Sequence, residues 1–262
     1  MSNNLDDVKV EIILPNYNSE LYLEETIKSI INQTYKNWKL TIVDGNSNDE
    51  TKKILKNPSL YRFYQKTVRA KYDEYDFFRF IFKQGNFKNI RMLDICCGDS
   101  YVLEHINEFI DDYLGVDNND KYLKQCKVRW KNFNFLNLDL NETKNINYFL
   151  KFKPNFIFIN GAIHHLDDNT IKSINTFIEN NFSDCYFLSV DPIKHNNSLL
   201  NTVMIKFDRG KFIRSKSEYS KLMSSFNSFI IDDFYKMNFE NIFHYKNFDL
   251  KELYHNWKKE IS

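Results

Sequence analysis

No stretch of this sequence approaches the roughly 18 consecutive apolar residues of a membrane-spanning helix, so no span is expected. The opening residues, Met1–Asp7, are polar and acidic, unlike a secretory signal. An excess of one charge is also missing: 36 Lys and Arg stand against 35 Asp and Glu, a formal net charge of +1. No global field recruits nucleic acid or an acidic membrane surface, and neither is expected as a partner. The four cysteines, Cys96, Cys97, Cys126 and Cys185, form no C-x-x-C pair and no zinc-like spacing with histidine, so no metal site is expected. Each lies in a stretch that reads as strand, turn or helix rather than in a disulfide framework. That usage fits a reducing compartment, and the cytoplasm is the expected location. Internal repeats and low-complexity linkers are absent.

What is present is ordinary for a globular protein: 42% apolar and 27% charged residues in a chain of 262, with 24 Phe and 16 Tyr. That length accommodates one domain with a sizeable core, or one domain plus a fragment. The first segment is short. Val8–Leu14 reads VKVEIIL, a buried strand ending at Pro15. Ser19 is placed to cap a helix whose apolar face is Leu23, Ile27, Ile30 and Ile31. Trp38–Val43 is a second strand, stopped by Asp44-Gly45-Asn46. Strand, helix and strand predict one βαβ unit with parallel strands. Asn57-Pro58 then marks a change, and Leu60–Phe82 is dense in aromatics arranged for one or two helices covering a sheet.

The segment ILPNYNSELYLEETIKSIINQTYKNWKLTIVDGNSNDET, Ile13–Thr51, resembles the start of nucleotide-sugar glycosyltransferases of the GT-A fold. In that family the acid matching Asp44 helps hold the nucleobase. The family also needs a later D-x-D metal site and a catalytic acid, and no segment after Thr51 resembles either. Residues 1–51 are therefore expected to be a glycosyltransferase-like fragment, structural or vestigial, and residues 52–262 a separate domain.

From Asn89 onward the chain alternates strand and helix. Strands are expected at Asn89–Ile95, Tyr113–Val116, Phe133–Asn137, Phe156–Ile159 and Cys185–Val190, with helices such as Val102–Ile110 and Asp168–Asn180 between them. This alternation predicts an α/β fold with a doubly wound parallel sheet, whose ligands bind at the carboxyl ends of the strands. The first such end reads MLDICCGDS, Met92–Ser100. A sharp strand-to-helix turn that brings backbone close to a ligand needs a small residue, and Gly98 supplies it. Asp117 ends the second strand about 20 residues on, where an acid accepts hydrogen bonds from ribose hydroxyls. Asp139 ends the third strand and Asn160 the fourth.

These residues resemble the motif I region and successive strand ends of class I S-adenosylmethionine-dependent methyltransferases, which have a Rossmann-like sheet. The sequence keeps Asp94 and Gly98 of the motif and has Cys96 and Ser100 at two of its glycine positions. The segments Asn57–Gln65, Ile159–Asp168, Ser189–Ile193 and Phe207–Met223 extend the resemblance to most of the chain. It implies S-adenosylmethionine as cofactor, held by Asp94, Cys96, Gly98, Asp117, Asn118, Asp139, Leu140 and Asn160. The family's acid matching Asp139 meets the adenine amino group, and Asn160 lies beside the methionine moiety. The sheet should end with two strands near Phe229–Tyr235 and Ile242–Phe248, one of them antiparallel. A dehydrogenase is disfavoured, because its fingerprint wants three glycines.

Methyl transfer is an in-line displacement at carbon, and a hydroxyl acceptor must also lose a proton. Candidates for the base are His164 and His165, just after the fourth strand, and Asp191 and His195, after the fifth. An imidazole ordinarily titrates at about 6.5 and so accepts a proton near neutral pH. Tyr61 and Gln65 are candidate substrate contacts in a lid. Arg209 and Arg214 could hold an anionic acceptor, or one of them could instead form an internal ion pair with Asp208. The expected reaction is O-methylation of a small acceptor, with a sugar or glycan precursor suggested by the glycosyltransferase-like prefix. Two alternatives stay open: a nucleotide-sugar glycosyltransferase, and a cofactor-binding scaffold without catalysis.

Overall fold

The structure is a computed structural model that describes residues 10–35, 38–55, 74–85, 87–140, 146–194, 210–231, 240–244 and 249–261. The chain forms two compact units, Met1–Arg69 and Ala70–Ser262.

The first unit contains β1 (Val10–Asn16), α1 (Leu23–Ile31), β2 (Trp38–Asp44) and α2 (Thr51–Leu55). β1 and β2 pair in parallel, Val10 opposite Trp38 and Asn16 opposite Asp44, as the βαβ reading requires. Leu23, Ile27 and Leu40 are buried, whereas Ile12, Leu14 and Ile42 are half-buried. The start of α1 differs from expectation. Tyr22 is the N-cap and no side chain caps the helix. Ser19 contributes its carbonyl instead, accepting the N–H groups of Tyr22 at 3.0 Å and Leu23 at 2.9 Å, while its hydroxyl donates to the carbonyl of Tyr17.

The second unit begins with α3 (Glu74–Gln84), the described part of the aromatic stretch. Then follow β3 (Arg91–Ile95), α4 (Leu103–Ile106), β4 (Asp112–Asp117), α5 (Asp120–Arg129), β5 (Asn134–Asn137), α6 (Ile146–Phe152), β6 (Phe156–Asn160), α7 (Asp168–Asn181) and β7 (Tyr186–Pro192). The chain ends with α8 (Lys216–Leu222), β8 (Asn227–Ile231), β9 (Glu240–His244) and α9 (Leu250–Ile261). The helix expected over Val102–Ile110 is shorter: α4 passes into a 3-10 turn at Asn107–Phe109. β3 starts at Arg91, two residues later than expected, after Asn89 takes a left-handed φ of 51°.

Seven strands form one sheet in the order β5-β4-β3-β6-β7-β9-β8. The first five are parallel, and β9 runs antiparallel to both β7 and β8. The sheet is therefore Rossmann-like, mostly parallel, with one antiparallel strand near the C-terminus. Alternation along each strand divides the core between two faces. Met92, Tyr113, Phe156 and Phe158 pack on one face with Phe77, Phe78 and Trp257 of α3 and α9. Leu93, Ile95, Ile157 and Ile159 pack on the other with Ile171, Ile174 and Ile178 of α7. With β3 counted first, the parallel order is 3-2-1-4-5, and the winding reverses between β3 and β6. Ligands of open α/β sheets bind beyond the strand ends at such a switch point.

Candidate functional site

The turn after β3 carries three consecutive alternate residues in the left-handed region: Cys96 at φ 59°, Gly98 at 54° and Ser100 at 52°. These are the motif's glycine positions, so the substitutions at Cys96 and Ser100 leave the backbone path unchanged. A non-glycine residue there costs roughly 1–2 kcal/mol. At Ser100 the side chain is tied down: its hydroxyl oxygen accepts from Tyr113 at 3.1 Å and from the Cys126 thiol at 3.6 Å. Cys96 is held chiefly by apolar packing. We expect Cys96→Gly to stay within about 1 kcal/mol of wild type in thermal unfolding, because relief of strain offsets the lost packing. Cys96→Val should be clearly less stable, since a β-branched residue rarely takes φ above zero. Equal midpoints for the two variants would contradict this account.

Asp94, an expected cofactor contact, is 3% exposed and hydrogen-bonded to the Tyr113 hydroxyl. Burial pushes its carboxyl up to about 8, the Tyr113 bond opposes this, and the charge of Asp117 adds to the rise. An acid whose folded pKa is raised holds its proton longer in the folded state than in the unfolded chain. Its stabilising contribution is then lost as pH rises from the ordinary carboxylate range through about 8. Asp94→Asn keeps an acceptor for Tyr113 and cannot ionise. Its denaturation midpoint is expected to gain on wild type between about pH 6 and about pH 9. Parallel pH profiles for the two proteins would show that Asp94 does not titrate in this way.

Asp117 ends β4 with both carboxylate oxygens engaged. Oδ2 accepts the N–H of Gly98 at 2.9 Å, and Oδ1 accepts the N–H of Asn119 at 2.8 Å. The acid therefore braces the glycine turn of the neighbouring strand. Gly115 is needed two residues earlier, because a Cβ there would meet the Cys97 sulfur at 2.9 Å and the Phe135 ring at 2.8 Å. Asn118 and Asp139 are exposed, Leu140 is half-buried, and Asn160 is half-buried at the end of β6. Gly161 follows at φ 60°, its N–H donating to the Val190 carbonyl at 2.7 Å. A Cβ built on Gly98 or on Gly161 meets nothing within 4 Å. Two left-handed glycines thus border open space on the two strands that flank the switch point. A glycine directly after a strand-ending polar residue is a readable signal in the sequence.

Beyond Gly161 a 3-10 turn, Ile163–His165, carries the histidine pair. His164 is 5% exposed and Asp191, on β7, is fully buried. His164 Nδ1 lies 2.6 Å from Asp191 Oδ1, and the His164 backbone N–H donates to the same oxygen at 3.0 Å. Ser189 donates to Asp191 Oδ2 at 3.2 Å. A carboxylate only accepts, so Nδ1 carries the hydrogen and the ring's lone pair falls on Nε2. His165 is exposed, with its ring centroid 4.1 Å from that of His164. In the turn after β3, the Cys96 thiol is pushed up by burial, then by the charges of Asp117, Asp94 and Asp191. The sequence put His164 and Asp191 on one rim, and the structure pairs them.

Arg214 is buried and pairs with Asp168, Nη2 to Oδ1 at 2.7 Å. Asp208, Arg209, His195, Tyr61 and Gln65 lie outside the described residues. Asp168 and Tyr219 were missed from sequence. The Tyr219 phenol is pushed up by burial and by Asp191, and it donates to the Pro192 carbonyl at 3.3 Å. Among the described residues no cluster of three or more His, Cys, Asp or Glu could hold a metal ion.

In the first unit the loops after β1 and β2 interlock. Asp44 accepts from the Ser47 hydroxyl, from the Ser47 N–H at 3.1 Å and from the Asn16 side chain at 3.3 Å. Burial acts to raise its pKa, but these bonds and Lys52 outweigh that and lower it.

Residues 11–81 match Glycosyl transferase family 2. Among curated proteins, UDP-Glc:alpha-D-GlcNAc-diphosphoundecaprenol beta-1,3-glucosyltransferase WfgD of Escherichia coli is 44% identical over 48 residues, 18% of this chain and 19% of that protein. The GalNAc(5)-diNAcBac-PP-undecaprenol beta-1,3-glucosyltransferase of Campylobacter jejuni is 41% identical over 49 residues, 19% of this chain and 16% of that protein. The chain thus spans less than a fifth of the length of these relatives. Similar solved structures include magnesium protoporphyrin IX methyltransferase (ChlM) from Synechocystis PCC 6803 with bound SAH, 14% identical, covering 69% of this chain and 82% of that one, TM-score 0.47. The DhpI–SAH complex is 13% identical, covering 74% of this chain and 90% of that one, TM-score 0.46. No described helix is long and apolar enough to cross a membrane.

Proposed function

We propose that the chain is an S-adenosylmethionine-dependent methyltransferase acting on a hydroxyl of a small acceptor, a sugar or glycan precursor foremost. The carrying observation is that the open space before Gly98 and Gly161 lies at the ends of the neighbouring strands β3 and β6, and the buried His164–Asp191 pair lies at the ends of β6 and the next strand, β7. The residues present fit the cofactor. Side-chain-free backbone at both glycines admits a ligand close to the chain, and Asp117 is an acceptor at the strand end where ribose hydroxyls bind. Asp139 and Leu140 would meet the adenine and Asn160 the methionine end, as the resemblance implies. When bound, S-adenosylmethionine supplies a methyl group activated by a positively charged sulfur. His164, oriented by Asp191, takes the acceptor proton at Nε2 as the oxygen attacks. The sugar acceptor is supported by the glycosyltransferase-like segment on the same chain, an association rather than a contact. In this reading residues 1–51 are that appendage and 52–262 the methyltransferase domain. The four free thiols suit the cytoplasm. Calorimetric titration with S-adenosylmethionine tests the reading: saturable binding at one site is expected, and no heat at millimolar cofactor would end it.

The family match favours a second reading, nucleotide-sugar transfer by the first unit. Its missing D-x-D site argues against turnover. Donor hydrolysis with UDP-sugars and Mn²⁺ is expected to stay at background. Hydrolysis abolished by Asp44→Ala would establish the second reading instead.

A further inference from the structure

His164 and Asp191 reside on different segments. Asp191 belongs to β7, whereas His164 lies beyond Asn160, the last residue of β6 paired to β7, opposite Val190. Past that point no strand ladder sets their spacing; the Gly161 N–H on the Val190 carbonyl at 2.7 Å and the His164 N–H on Asp191 Oδ1 at 3.0 Å tie the two segments locally, and a further restraint on the 2.6 Å contact comes from outside them.

Arg214 touches both segments. Its Nε and Nη2 donate to Asp168 Oδ1 at 3.0 and 2.7 Å, and Nη2 also donates to the Leu166 carbonyl at 2.8 Å. Nη1 donates to the Phe212 carbonyl at 2.9 Å and to the Ile163 carbonyl at 3.4 Å. A guanidinium has five N–H donors, and these five contacts use them all on the chain's own oxygens. The side chain therefore grips the turn on both sides of His164. Through its main chain Arg214 reaches the other partner. Its carbonyl accepts the N–H of Lys194, just beyond β7, at 2.9 Å, and Phe212 N–H donates to the His164 carbonyl at 2.9 Å. The guanidinium also lies 5.5 Å and 5.8 Å from the ring centroids of Phe212 and Tyr219, and Tyr219 is anchored to Pro192 of β7. An anionic acceptor would have to displace a buried carbonyl or Asp168 to reach this charge.

We infer that Arg214 is a positioning residue that sets the His164–Asp191 contact, not a contact for the acceptor. Its importance for catalysis rests on the proposed role of His164; the clamp itself does not.

The test uses the full chain labelled with ¹⁵N. The His164 Nδ1–H proton, identified by its loss in His164→Gln, is followed by NMR in wild type, Arg214→Ala, Arg214→Lys and Asp168→Asn. Wild type should show a slowly exchanging proton. Arg214→Ala should speed its exchange at least about tenfold, since loss of hydrogen bonds from a charged donor loosens the turn. S-adenosylmethionine affinity should change by less than about threefold, because Arg214 makes none of the proposed cofactor contacts. Lysine should not rescue, as a point charge cannot reproduce the fork. Asp168 is 60% exposed, so Asp168→Asn should fold and should show a smaller acceleration, which carries the test if the alanine variant does not fold. Unchanged exchange in Asp168→Asn and in any folded Arg214 variant would overturn the clamp. Phosphate binding that shields wild type but not Arg214→Lys would overturn it in favour of anion recognition. Failure of the methyltransferase reading would appear separately, as absence of cofactor binding with the exchange effect intact.

Discussion

Replacing His164 with alanine is expected to slow methyl transfer by about a hundredfold or more while leaving S-adenosylmethionine affinity within about threefold. Turnover would be read as S-adenosylhomocysteine formed with a panel of free sugars. The size follows from the geometry. In the proposed role, an imidazole that is buried and 2.6 Å from an orienting carboxylate is held in one place for proton transfer. A positioned base of this kind contributes roughly a hundred- to ten-thousandfold. Asp191→Asn should lose nearly as much, because an amide can turn its NH₂ toward Nδ1 and select the wrong tautomer. Its stability should fall as well, since the buried His164 backbone N–H and Ser189 hydroxyl share the same carboxylate. His165→Ala should keep near-wild-type turnover, its ring being exposed and tilted against that of His164. Full activity in His164→Ala would mean that alignment alone suffices or that the base lies elsewhere.

How far these features were legible in sequence depends on whether they are local. The parallel strands announce themselves because β6, FIFIN, is apolar on both faces and ends in a polar residue. The glycine turn was legible from Gly98, yet the roles of its neighbours were not. That Ser100 and Cys96 take left-handed backbone depends on the strand-to-helix geometry, and Ser100 is supported by Tyr113 and Cys126, 13 and 26 residues away. The partner of Asp94 was not legible either: the pleat puts it on the face of Met92, against the hydroxyl of Tyr113, 19 residues away.

Other omissions had usable signals. α9 was not among the expected elements, although Asp249 accepts the N–H of Glu252 at 2.9 Å as a cap, and Leu250, Leu253, Tyr254 and Trp257 recur at helical spacing. The partner of Arg214 had no such signal. Asp168, with which Arg214 pairs, lies 46 residues away at the first position of α7. Side-chain partners of this kind are set by tertiary packing, and only the fold reveals them.

Asp117→Ala should weaken S-adenosylmethionine binding about tenfold or more. Two effects act in the same direction. Each hydrogen bond lost from a charged acceptor costs about 1.5–3 kcal/mol, and 1.4 kcal/mol is a factor of ten in affinity. Removing the carboxylate would take ribose contacts away and also release the N–H groups of Gly98 and Asn119 that it now holds at 2.9 and 2.8 Å. The second effect makes the variant a test of the turn as much as of the ribose. Asp117→Asn separates them. Its single carbonyl oxygen can still accept one of the two N–H groups, so the turn is partly kept while the charge is lost. Calorimetry should place its affinity between wild type and alanine, and its unfolding midpoint closer to wild type than that of alanine. If alanine lowers the midpoint yet leaves affinity unchanged, Asp117 braces the turn without touching the cofactor. If both properties stay unchanged, neither role holds, and the cofactor must be held from other strand ends.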